Sequence, residues 1–126
     1  MAETRLWHVR LTVAGPPVDA GDVARALTRL AAQHRFLHSL RYAGSCAEVT
    51  YWDEALSMLD AAALAIRLWD EHRVSASLPH WEVTGLEILE QSVHASRSDW
   101  SARTAGGSRR DTGGPRLATI LRPVPF

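Results

Sequence analysis

The sequence contains no lysine; all fourteen basic residues are arginine. With alanine abundant, this reads as the codon bias of a GC-rich genome and not as selection for phosphate binding. Cysteine is almost as scarce. Cys46 stands alone, so no disulfide can form within the chain, and a reducing, cytoplasmic location is expected. A packed thiol is the simpler reading of Cys46, because a nucleophile needs a base and a positive surrounding, and the sequence places neither beside it. No apolar run reaches the roughly 18 residues of a membrane span. Met1 to Arg5 lacks the basic start and apolar stretch of a secretory signal. Metal-ligand spacing is missing too: only His34 and His38 have a suitable interval, and a helix end and a strand are expected between them. No metal and no cofactor is therefore expected.

What is present suits one globular α+β domain. The chain has 126 residues, 46% of them apolar, enough for a modest core. Its zero net charge hides a division. Up to Ala95 there are 8 Arg and 12 Asp/Glu, net −4; from Ser96 onward there are 6 Arg and 2 Asp, net +4. Residues 1–95 are read as the domain. Residues 96–126 are read as a Ser/Arg/Gly-rich flexible tail whose end, from Arg116 to Phe126, regains apolar character. The tail complements the domain in charge, so it is a candidate to dock back on it or to reach an acidic partner.

The elements follow from periodicity. Trp7, Val9, Leu11 and Val13 alternate with His8, Arg10 and Thr12, the period of a half-buried strand over Leu6 to Val13. Pro16 and Pro17 end it. Asp19 stands at an N-cap position, and Ala20 to His34 repeats at helical spacing. Phe36 to Tyr42 and Cys46 to Trp52 read as a hairpin turning at Gly44. A second helix runs from Asp53 or Ser57 to Arg73, with Ser57 and Asp60 resembling a capping box. Its apolar residues, among them Leu59, Ala62, Leu64, Ile66 and Trp69, sweep about 220° of its circumference, wider than one sheet requires. Trp81 to Leu89 is a last strand, in which Gly85 marks a bulge or a close approach.

This β-α-β-β-α-β order predicts a four-stranded antiparallel sheet with two helices on one face. In that order, and in the turn from Gly15-Pro16-Pro17 through Gly21-Asp22 into the first helix, the chain resembles the ferredoxin-like plait, in particular small ACT-like regulatory domains. The resemblance covers Leu6 to Gln91. It implies a small ligand, commonly an amino acid, bound near that turn at a subunit interface.

His8 and Arg10 are expected on the open face of the central strand, with Glu48, Thr50 and Trp52 beside them. Together with Trp81 they form the candidate ligand or interface surface; His8, Arg10 and Glu48 are the only candidates for catalysis, His8 as acid or base. Arg109, Arg110, Arg116, Arg122 and Phe126 are the candidate partner-binding residues of the tail. Nucleic acid is disfavoured because the sheet lacks the aromatic pattern of an RNA-reading plait. The reading that follows is a non-enzymatic regulatory or assembly module, a homodimer or higher oligomer formed through the sheet or the second helix. The alternatives are a ligand binder or enzyme using the His/Arg/Glu surface, and an arginine-tail adaptor.

Overall fold

Ten residues of alternating character, Arg5–Ala14, form β1, the strand about which the sheet is built. The computed structural model describes residues 3–34, 37–96 and 121–126. Its further elements are α1 (Ala20–Gln33), β2 (Leu37–Tyr42), β3 (Cys46–Ala55), α2 (Met58–Arg73), β4 (Glu82–Glu90), the helical residues 91–96 (α3) and β5 (Val124–Pro125). The strands lie in the order β4-β1-β3-β2-β5. The pairs β1–β3, β1–β4 and β2–β3 are antiparallel, whereas β5 runs parallel to β2.

This corrects the expected four-stranded antiparallel plait with two helices. The sheet is mixed and has five strands, and three helices are present among the described residues. The extra strand has a physical cause. β2 would otherwise expose an unpaired edge. Val124 and Pro125 lie along it, the Phe126 amide donates to the Tyr42 carbonyl at 2.9 Å, and Leu121 packs against the core. The flexible stretch expected after residue 96 otherwise lies outside the described residues, as does Phe36.

The helices start where their caps stand. Asp19 accepts from the Asp22 amide at 3.1 Å, and Ser57 from the Asp60 amide at 3.2 Å, each satisfying an amide with no partner inside its helix. Ser57, not Asp53, therefore begins α2, and β3 continues to Ala55. Beyond α2 the Leu78 amide donates to the Arg73 carbonyl and the Ser77 amide to the Val74 carbonyl, with Ser77 at a φ of 53°. This is a Schellman ending with serine where glycine is usual.

α1 and α2 cover the face of β1 that carries Trp7, Val9, Leu11 and Val13, all buried. Each such aliphatic side chain contributes about 1.5–3 kcal/mol through burial. Trp69 and Trp81 stack there with planes 3° apart and centroids at 6.1 Å. The Trp81 indole N–H donates to the Pro16 carbonyl at 2.9 Å, and the ring lies so close to Gly15 that an added Cβ would sit 2.3 Å from Cδ1. Glycine at position 15 is thus demanded by contact. No helix among the described residues is long and apolar enough to cross a membrane.

Candidate functional site

The alternation that buries Trp7 and Val9 turns His8 and Arg10 to the opposite face of the sheet. The register sets His8 against Trp52, Arg10 against Thr50, and Thr12 against Glu48 on β3. On β4 the partners of His8 and Arg10 are Leu89 and Glu87. Five of the residues singled out in the sequence, His8, Arg10, Glu48, Thr50 and Trp52, are thereby neighbours on one surface.

Two further histidines complete it. His94 of α3 lies over His8 with ring centroids 4.0 Å apart, and meets Trp52 at 4.9 Å. His38 approaches His8 at 5.9 Å, and Trp52 presents its ring to His8 at 4.8 Å in a T-shaped contact. His38 reaches this face as the extra residue of a bulge, because Leu37 and Ser39 pair with the consecutive residues Tyr51 and Thr50. His8 is consequently only 5% exposed. Thr50 is buried too, its hydroxyl donating to the Ser39 carbonyl at 3.1 Å. Arg10 and Glu48 remain partly open, with Nε and Oε1 3.9 Å apart.

Electrostatics set what His8 can do. Burial, then the neighbouring His94, His38 and Arg10, pull its pKa from 6.5 down to about 4, with Glu87 opposing. His8 is neutral near pH 7, and a base this weak transfers protons poorly there. The cluster packs as an aromatic seam under α3. Among the described residues no three His, Cys, Asp or Glu groups are placed to share a metal ion.

Trp81 does not join this surface. It precedes β4, its backbone is turned by a hydrogen bond from its amide to the Pro79 carbonyl, and its ring enters the core on the helix side. Of the tail residues, Arg122 is exposed and Phe126 lies beneath the Arg41 guanidinium, 5.1 Å from carbon to ring centroid. Arg109, Arg110 and Arg116 lie outside the described residues. Beside the Gly15–Gly21 turn is an open groove of about 360 Å³ lined by Val18, Asp22, Arg25, Arg29, Ser77 and Pro79. Its cations are engaged: Arg25 with Asp22 and Asp19, Arg29 with the Ala76 carbonyl at 2.7 Å.

α2 offers a surface of another kind. It buries Ala61, Ala65, Leu68 and Trp69. Immediately beside that buried arc, Leu59 is 81% exposed and Ile66 51%, with Ala62 and Ala63 between them. Of the eleven exposed large hydrophobic residues among the described residues, six lie from Leu56 to Val74.

The chain belongs to the family described as a domain of unknown function (DUF8830), whose model matches residues 6–105. The matched span runs from the second residue of β1 through β4 and α3, and β5 follows it. No curated protein matches the chain in sequence.

Proposed function

We propose that this member of the family is a non-enzymatic assembly module that pairs with a second copy of itself through α2. The observation that carries the reading is the apolar stripe Leu59-Ala62-Ala63-Ile66 at helical spacing, in which Leu59, Ala63 and Ile66 are exposed and Ala62 is half-buried. It is self-complementary. An antiparallel contact about a two-fold axis between Ala62 and Ala63 sets Leu59 of each copy against Ile66 of the other, while the two alanines let the backbones approach. Met58 and Leu56 extend the apolar area at one end. Arg67 and Glu71, 3.9 Å apart, and Asp70 give a polar rim at the other.

The sheet is the weaker candidate for this contact. α3 already occupies the His8 and Trp52 end of the open face, and what remains carries Arg10 and Glu48. A catalytic role for His8, Arg10 and Glu48 has less support still, since His8 is covered and held neutral.

Cross-linking tests the geometry. In a Cys46→Ser background, Ala63→Cys is expected to form a disulfide-linked dimer under mild oxidation, while Asp22→Cys on α1 stays monomeric. Equal cross-linking from both positions would reject α2 as the contact.

A further inference from the structure

The outer edge of β2 is covered by a segment with proline at alternate positions, Leu121-Arg122-Pro123-Val124-Pro125-Phe126. It runs parallel to β2, with Val124 beside Arg41 and Pro125 beside Tyr42. The Phe126 amide donates to the Tyr42 carbonyl at 2.9 Å. Backbone groups alternate sides along an extended chain, so the amides facing β2 are those of Phe126 and, two residues earlier, Val124. Pro123 and Pro125 take the positions whose amides would face outward, and proline has no amide hydrogen. The segment therefore adds to the sheet on one side and ends it on the other.

Its hold on the edge is slight. β5 pairs with two of the six residues of β2, Arg41 and Tyr42. Among the described residues, Leu37 to Leu40 have no strand on their outer side. Leu121 packs against the core, but Val124 is 55% exposed and Phe126 52%, its ring lying against the Arg41 guanidinium. The segment also lies beyond residue 105, where the family's matched span ends, so that unit contains β2 without the strand that covers it.

We propose that the β2 edge docks an extended segment of a partner protein, of the form Pro-x-Pro-aromatic, added parallel to β2, and that residues 121–126 are its displaceable internal occupant. The chemistry is that of the occupant in place: amides directed to one side, prolines that hold the chain extended, and an aromatic ring for Arg41. The same segment of a second copy makes only the contacts that the internal one already makes, and it pays for association as well. A partner segment whose residues before the first proline continue along Leu37 to Leu40 makes ladder bonds that β5 does not, and so displaces it. α2 packs on β4, β1 and β3, so this edge does not depend on the pairing proposed above.

The test is an NMR titration of the full chain with the synthetic octapeptide Val-Thr-Val-Arg-Pro-Val-Pro-Phe. Saturable shifts of the Leu37 to Tyr42 amides are expected. The octapeptide ending in Ala instead of Phe should bind at least fivefold more weakly. Full-length Phe126→Ala, whose exposed ring is not needed for folding, should bind the octapeptide at least fivefold more tightly than wild type, because the competing internal segment is weakened. The absence of a saturable shift in either chain at peptide concentrations on the order of millimolar, equal affinity of the two chains, or undiminished binding of the Ala-ended peptide would overturn the assignment; β5 is then a fixed cap on the sheet. If Ile66→Glu still pairs and adding Phe126→Ala dissolves the pair, the occupant is the segment of a second copy, and the partner-protein assignment fails.

Discussion

The imidazoles of His8 and His94 lie 4.0 Å apart, with 34° between their planes. That contact joins α3 to the central strand, and burial beneath it favours the uncharged form of His8. His8 titrates at about 4, below the ordinary 6.5, because burial and the His94, His38 and Arg10 charges resist its protonation, against a smaller pull from Glu87. As pH falls the unfolded chain therefore takes up the proton first. The stability due to this contact is complete above the unfolded value and declines as pH drops toward 4. His34, also lowered by burial, acts in the same direction. Asp53, raised by burial, acts oppositely: its cost at neutral pH is relieved by acid. The two histidines are expected to dominate, so the denaturant midpoint should be lower near pH 5 than near pH 7. NMR titration should place His8 near 4; an ordinary histidine value would contradict the packing.

Gly15→Ala should be among the more damaging small substitutions. The added methyl meets the Trp81 ring, which cannot withdraw because it is stacked on Trp69 and bonded to the Pro16 carbonyl. A loss of about 1–3 kcal/mol is expected from overpacking, read by chemical denaturation and accompanied by altered tryptophan fluorescence.

Ser77→Gly should move stability the other way. Ser77 holds a φ of 53° in the turn that ends α2. Relief of the left-handed strain outweighs the added freedom of glycine in the unfolded chain, for a gain of up to about 1 kcal/mol. An unchanged or lower midpoint would contradict the Schellman assignment.

Removing residues 121–126 should uncover the edge of β2. The truncated chain loses the Phe126 amide to Tyr42 carbonyl bond, the Leu121 packing and the Arg41–Phe126 contact. A lower midpoint and faster concentration-dependent aggregation are expected. Phe126→Ala alone should cost about 0.5–1 kcal/mol.

The parts of the fold that were legible are those with short-range causes. Alternation through Trp7, Val9, Leu11 and Val13 marks β1, and Asp19 and Ser57 mark the starts of the helices. The surplus apolar arc of α2 was also readable, and Leu59, Leu64 and Ile66 are large residues that it leaves exposed. β5 and α3 were not readable. A two-residue strand containing Pro125 has no periodicity, and its pairing depends on an edge more than eighty residues earlier. The six helical residues 91–96 are too few to show a helical face. His94 was therefore absent from the expected site, and His38 was missed because a bulge brings it there. Of the two helix starts that the sequence offered, Asp53 and Ser57, the first is excluded because β3 runs three residues past Trp52.

The self-pairing through α2 is tested most directly by light scattering on the eluting peak of the wild-type chain and of Ile66→Glu. Ile66 is exposed, so the charged variant should fold normally by circular dichroism. The wild type is expected at twice the 13.9 kDa chain mass at high micromolar concentration, and Ile66→Glu at the single mass. A wild-type chain that elutes at 13.9 kDa at every concentration, or an Ile66→Glu variant that still pairs, would contradict the proposal.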